Sequence, residues 1–304
     1  MRPSENPPQA DIVIAHDYLT QRGGAERVVL ALHRMYPEAP IYTTLYDPQG
    51  TFPEFNDATI ITSPLNKIGL FRKNHRLALP LLPLAAWMVK VPTDTAIVSS
   101  SGWAHGFRFT GKTVVYCHTP ARWIYLLEEY LGSHWWREPQ GVLATAMRPF
   151  LRAWDYRAMA RREIYLGNST VVTERIRRIY GRDDVGLVHP PHDVDTLGAI
   201  QPIPGIEEWA DGQGYYLVVS RLLPYKNVDA VIKAAEMTGQ RLLVVGRGPH
   251  ETHLKAVAGP NVKFAQDLSE PQLRWAYAHA TSLVAVSYED FGITPLEASA
   301  WGKP

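Results

Sequence analysis

The 304-residue chain has one cysteine, Cys117, so it cannot form an intramolecular disulfide, and this usage fits a reducing compartment. It has no surplus of either charge: 31 Lys and Arg stand against 30 Asp and Glu. That balance argues against a dedicated nucleic-acid binder and against an acidic disordered tail. No apolar h-region follows the N-terminus, and no apolar window reaches membrane-spanning length; the nearest, Leu77 to Val89, is cut by two prolines. No H-x-x-x-H pair suggests a zinc site, no G-x-S-x-G a serine hydrolase, and no G-x-G-x-x-G a dinucleotide fold. These absences leave a soluble, cytoplasmic protein, and roughly 150 residues per domain gives two domains.

What is present is an alternation. Short apolar, β-branched runs at Asp11–Ala15, Thr59–Thr62, Ala96–Ser99, Thr113–Cys117 and Glu163–Gly167 read as buried strands. Amphipathic stretches at Ala25–Tyr36, Ala144–Ala160 and Thr173–Tyr180 read as helices. His189–Gly214 is rich in Pro and Gly, has no clear period, and reads as an interdomain linker. A second series follows: strands Tyr215–Ser220, Arg241–Val245, Val262–Ala265 and Ser282–Val286, helices Val228–Thr238 and Pro271–Ala280, and a last helix near Pro295. The expected fold is α/β, two Rossmann-like doubly wound domains over 1–193 and 194–304, the second incomplete. Charge divides the same way. Residues 1–193 carry 22 basic and 18 acidic residues, and 194–304 carry 9 and 12.

The candidate site residues sit where strands end. Gly23-Gly24 precedes a helix, where bare backbone N–H groups suit an anion, although a tight turn explains the pair equally well. Arg221 and Lys226 follow the Tyr215–Ser220 strand, a position that suits a diphosphate better than idle surface charge. Gly246-Arg247-Gly248 follows another strand and permits close approach by a ligand or by nothing more than a turn. In Glu289-Asp290-Phe291-Gly292-Ile293-Thr294-Pro295-Leu296-Glu297, Thr294 and Glu297 have capping-box spacing, which accounts for Glu297 but not for Glu289. His118 follows the Thr113–Cys117 strand, and His16 holds the matching edge of the first strand. A lone histidine is more often structural than catalytic. Ala58–Thr93 contains no acidic residue but has Lys67, Arg72, Lys73, Arg76 and Lys90 around an apolar run. It reads either as a segment resting on an anionic membrane or as a buried helix pair with a basic cap. Arg148, Arg152, Arg157 and Arg161 give a basic stripe, a solvated face or a contact with the same membrane.

Taken in order, HDYLTQRGGAERV, YCHTPARW, GNST, SRLLPYKNVD, VVGRGP and EDFGITPLEASAWGKP resemble the family-4 retaining glycosyltransferases of the GT-B fold, along nearly the whole chain. The look is that of bacterial enzymes that build O-antigen and exopolysaccharide, many of which take mannose from GDP-mannose to a lipid-linked acceptor. The resemblance implies a hexosyltransferase in which Gly23 and Gly24 line the cleft near the donor phosphates and His118 sits beside the transferred sugar. It puts Arg221 and Lys226 on the leaving diphosphate, Gly246 in the donor-binding set, Glu289 on the donor sugar, backbone N–H groups of Phe291 and Gly292 beside it, and Glu297 on the ribose. It implies no cofactor and no metal, a nucleotide-sugar donor with GDP-mannose favoured, a lipid-linked or saccharide acceptor, and peripheral contact with the inner face of the cell membrane. His189–Asp195 resembles the family's Pro-Pro-Val-Asp linker with extra residues, and the family continues past Gly302-Lys303-Pro304. Two alternatives stay open: a nucleotide-binding fragment without turnover, and a nucleotide-sugar isomerase.

Overall fold

A computed structural model describes residues 10–126, 139–191, 194–287 and 289–304. These fall into two compact units, the first reaching Pro191 and the second Pro304. His192 and Asp193, at the expected boundary, lie outside the described residues.

The first unit starts with β1 (Ala10–His16), α1 (Gly24–Met35), β2 (Ile41–Thr43) and β3 (Ile60–Thr62). Two short helices follow, α2 (Gly69–Lys73) and α3 (Leu82–Met88), then β4 (Lys90–Val91), β5 (Thr93–Ser100), β6 (Arg108–Phe109) and β7 (Lys112–Cys117). The chain continues through α4 (Arg122–Tyr125), α5 (Pro139–Met159), β8 (Ile164–Gly167), α6 (Thr170–Tyr180) and β9 (Val185–Leu187). Seven strands form one sheet in the order β3-β2-β1-β5-β7-β8-β9, with every ladder parallel, while β4 and β6 pair separately. Parallel strands need crossovers that cover the sheet, so central strands read as continuous apolar runs. Val13, Ile14 and Ala15 of β1 are accordingly all fully buried. Cys117 is also buried, at the end of β7.

The second unit runs α7 (Glu207–Ala210), β10 (Tyr215–Val219), α8 (Val228–Thr238), β11 (Leu242–Val245), α9 (Glu251–Val257), β12 (Val262–Ala265), α10 (Glu270–His279), β13 (Ala280–Leu283) and α11 (Ile293–Ala300). Its four strands are parallel in the order β12-β11-β10-β13. The outer edge of β13 meets the chain again at Pro304, whose carbonyl accepts from the Leu283 N–H at 2.9 Å.

Three expectations change. The last strand ends at Leu283 rather than Val286, although the Val284 N–H still donates to the Leu217 carbonyl at 2.8 Å. The His189–Gly214 stretch is more than a linker: it contains α7, and Ile203, Ile206 and Ala210 lie in a core with Tyr215, Trp275 and Tyr277. Its apolar residues are too few and too irregular to show a period, yet Ile203, Ile206 and Ala210 are buried. The Lys67–Val91 segment is only partly a buried helix: α3 buries Leu82, Ala85 and Ala86 while Leu84, Trp87 and Met88 stay exposed.

Ile206→Ala is expected to lower the stability of the chain by about 2–4 kcal/mol through lost transfer energy and a residual cavity. Leu197→Ala, at a side chain 97% exposed in the same stretch, should change it by less than about 0.5 kcal/mol. Urea unfolding of both variants measures the difference.

Candidate active site

In the first unit, four side chains converge at the ends of β1, β5 and β7 and on the first turn of α1. Gly23 is the N-cap of α1, which places Glu26 in the first helical turn, where the helix dipole favours a carboxylate. Gly23 has extended backbone, so its need for glycine is spatial: a Cβ there would lie 2.6 Å from Glu26 Oε2. Glu26 is 1% exposed; its Oε1 accepts from Gln21 Nε2 at 3.0 Å, while Oε2 is buried without a hydrogen-bond partner. His16 Nε2 lies 3.7 Å from Glu26 Oε1. On its other side, His16 Nδ1 is 3.1 Å from the Ser99 carbonyl and 3.0 Å from Ser99 Oγ, which in turn is 2.8 Å from His118 Nε2.

Burial works against charge on His16, but the hydrogen bond and negative charge of Glu26 outweigh it and hold the imidazole above its ordinary value. Glu26 is held below the carboxylate range by the same partner, against the opposing effect of its own burial. His118 is pushed down to about 3 by burial and by the charge of His16, against a smaller pull from Glu26. It is therefore a neutral imidazole at physiological pH.

The loop after β5 is held by another buried carboxylate. Asp17 accepts from the N–H groups of Ser101 at 2.5 Å, Trp103 at 3.0 Å and Ala104 at 2.6 Å, and from Ser100 Oγ at 3.1 Å. Ser100 Oγ also contacts His105 Nδ1 at 3.1 Å. His105 Nε2 lies 3.0 Å from Asp155 of α5, whose other oxygen accepts from Tyr125 and Tyr180. The stripe on α5 is correspondingly more than a solvated face: Arg148 donates to the Ile124 carbonyl, and Arg152 lies over the Tyr125 ring.

In the second unit, Lys226 in the turn after β10 and Glu289 in the loop after β13 form an ion pair. The Lys226 side chain is only 10% exposed, and Ser287 Oγ donates to the same Glu289 oxygen. Lys226 also lies 5.1 Å from the centre of the Tyr225 ring. Ser220, Lys226, Ser287, Glu289 and Thr294 line a narrow cavity of about 20 Å³. Arg221 stands exposed at the end of β10. A Cβ at Gly246 or Gly248 would overlap the carbonyls of Ser220 and Leu222, and Gly246 also has a φ of 144°.

The capping box at Thr294 is not formed. The α11 helix starts at Ile293 from Gly292, whose φ of 82° favours glycine, and no side chain caps it. Glu297 turns inward instead and accepts from the Tyr277 hydroxyl at 2.5 Å. Phe291 leads into this helix start, and Gly292 packs beside the Glu289 side chain.

The structure thus joins Lys226 to Glu289 and brings His118 to His16. Sequence reasoning missed Glu26, Ser99, Asp17, Ser287 and Tyr277. Only Glu26 carried a local signal, as an acid directly after Gly23-Gly24-Ala25.

Residues 200–304 match the family model of the glycosyl transferases group 1. No curated protein matches the sequence. Among solved structures, the chain is similar to sucrose-phosphate synthase from Thermosynechococcus elongatus, at 16% identity and a TM-score of 0.66, over 97% of this chain and 80% of that one. WaaG, a glycosyltransferase involved in lipopolysaccharide biosynthesis, gives 16% identity and a TM-score of 0.62, over 96% and 80%. An α-glucosyltransferase in complex with UDP and DNA gives 12% and 0.51, over 96% and 78%. The fold is GT-B. Its two Rossmann-like units account for both clusters of strand-end residues, since open parallel sheets bind ligands at their carboxyl edges.

Within the first unit of this GT-B chain, an unfolded His118 takes up a proton as the pH falls through 6.5, whereas the folded one does so only near 3. The unfolded state binds the extra proton throughout that interval, so stability falls as pH is lowered. His118→Gln is expected to flatten this acid limb in urea midpoints measured between those two pH values. An unchanged slope would place the origin elsewhere.

Proposed function

We propose that the chain is a retaining glycosyltransferase that moves a hexose, with mannose favoured, from a nucleoside-diphosphate sugar to a lipid-linked saccharide in surface polysaccharide synthesis. The observation that carries this reading is the Lys226–Glu289 pair at the carboxyl edge of β10 and β13, inside the group 1 match. A cation and a carboxylate held together beside a helix N-terminus suit the two ends of such a donor: the diphosphate and the sugar hydroxyls. The departing nucleoside diphosphate gains negative charge, and preorganised positive groups stabilise that charge where it develops. Arg221 and Lys226 serve this role, and the reading needs no resident cofactor or metal. Glu289 holds the sugar, with the N–H groups of Phe291 and Gly292 beside it, while Glu297 binds the ribose and Gly246 lets the donor approach the loop. Gly23, Gly24 and His118 act on the phosphates and the transferred sugar. The leaving diphosphate assists deprotonation of the acceptor on the same face, which retains configuration.

The acceptor is expected at a membrane. No helix among the described residues is long and apolar enough to cross one. Ile68, Leu70, Leu77, Leu84 and Trp87 are exposed within a segment that also carries Lys67, Arg72, Lys73 and Lys90; the side chain of Arg76 lies outside the described residues. Apolar side chains among cations suit an anionic bilayer surface.

Lys226→Ala or Glu289→Ala should reduce sugar transfer at least about tenfold with the fold intact, since each removes a group that stabilises developing charge or orients the sugar. Thermal shift against GDP-mannose, UDP-glucose and UDP-galactose identifies the donor, and transfer at the native rate by either variant would refute the assignment. Neutralising Arg72 and Lys73 should weaken binding to phosphatidylglycerol vesicles by about thirtyfold, at about 1 kcal/mol per basic group. Equal co-sedimentation would refute the membrane contact.

A further inference from the structure

The proton arrangement among Glu26, His16, Ser99 and His118 follows from which atoms can donate. A backbone carbonyl only accepts, so His16 Nδ1, 3.1 Å from the Ser99 carbonyl, carries a hydrogen. His16 Nε2 faces a carboxylate oxygen of Glu26 at 3.7 Å, which favours a hydrogen there as well. Ser99 Oγ, 3.0 Å from His16 Nδ1, is then on the receiving side of that donor. The hydroxyl has one hydrogen to place, and its remaining neighbour among the described residues is His118 Nε2 at 2.8 Å. If His118 Nε2 donated instead, Ser99 Oγ would face two donors and its own hydrogen would have no acceptor among the described residues, a costly arrangement for a serine that is fully buried.

We propose that Glu26, His16 and Ser99 are positioning residues that fix His118 as the neutral tautomer protonated on Nδ1, so that His118 offers its substrate an N–H donor and not a lone pair. Among the described residues, Nδ1 of His118 makes no hydrogen bond, and the side chain is 9% exposed at the end of β7. The ligand chemistry this selects is an acceptor oxygen, such as a sugar hydroxyl or ether oxygen. That part rests on the glycosyl-transfer reading; the tautomer itself does not. The arrangement also gives the buried Glu26–His16 pair a task at a distance. The Ser99 carbonyl keeps a hydrogen on His16 Nδ1, with the Glu26 charge on the far side of the ring, and this turns the Ser99 hydroxyl toward His118. The ring orientation is braced by Tyr116, whose ring packs edge-on to His118 with centroids 5.3 Å apart.

The test uses the full chain with ¹⁵N-labelled histidine and two-bond ¹H–¹⁵N correlation spectra, with the His118 signals assigned by their loss in His118→Gln. The expected result is a neutral His118 carrying its proton on Nδ1 from about pH 5 to about pH 8, where an ordinary histidine titrates. Ser99→Ala should move the proton to Nε2 and lower the turnover of sugar transfer about tenfold through lost orientation, with an unchanged circular-dichroism melting curve. Ser99→Thr, which keeps the hydroxyl, should restore the Nδ1 proton. A wild-type His118 protonated on Nε2 or on both nitrogens would overturn the proposal, as would a Ser99→Ala spectrum with the proton still on Nδ1. Should the Ser99 variants not fold, the wild-type spectrum alone decides. The spectrum needs no substrate, so failure to detect glycosyl transfer counts against the functional reading only, and a wrong tautomer counts against the relay only.

Discussion

The structure depends on one topological constraint, repeated twice. In each unit the strand that comes first in sequence lies inside its sheet, with the chain proceeding outward on one side and then crossing to the other: β1 lies between β2 and β5, and β10 between β11 and β13. Connections leaving such a strand pair diverge to opposite faces, so a gap opens at the carboxyl ends where no crossover covers the sheet edge. His16, Ser99 and Asp17 surround that gap in the first unit, and Lys226 and Glu289 do so in the second. The strand order brings both groups to a carboxyl edge, the second on the turn and loop that follow β10 and β13.

Burial then decides how each cluster behaves. In the first unit the charges are taken out of solvent, so each has to be matched: Glu26 by His16, and Asp17 by backbone N–H groups. Breaking such a pair leaves an uncompensated buried charge, which costs more than the pair itself contributes. In the second unit Lys226 and Glu289 keep partial exposure, and a pair at a partly wet edge can exchange its partner for a ligand at lower cost.

The strands were legible because a buried parallel strand has no polar face to interrupt its apolar run. The expected and observed bounds of β1, β7 and β12 agree within a residue or two. Of the three-residue strands, β3 was legible and β2 and β9 were not, since so short a run carries little pattern. Lys226 and Glu289 were each singled out from their place after a strand, and the structure adds that they pair. The capping box at Thr294 failed because sequence spacing shows neither the left-handed turn at Gly292 nor the Tyr277 hydroxyl that draws Glu297 inward. The His16–Ser99–His118 contacts span 83 and 19 residues, and no local period reports an approach of that kind. Roles in catalysis are a different matter from these placements and rest on the resemblance.

The loop after β5 has one more implication. The amides of Ser101, Trp103 and Ala104 converge on the two oxygens of one carboxylate, an arrangement that elsewhere cradles phosphate. Here the chain fills that cradle with its own Asp17. The amides of this loop are therefore already engaged by a carboxylate of the same chain. Because Asp17 directly follows β1, the same carboxylate ties the loop after β5 to the end of β1, so the two strand ends keep a fixed relation.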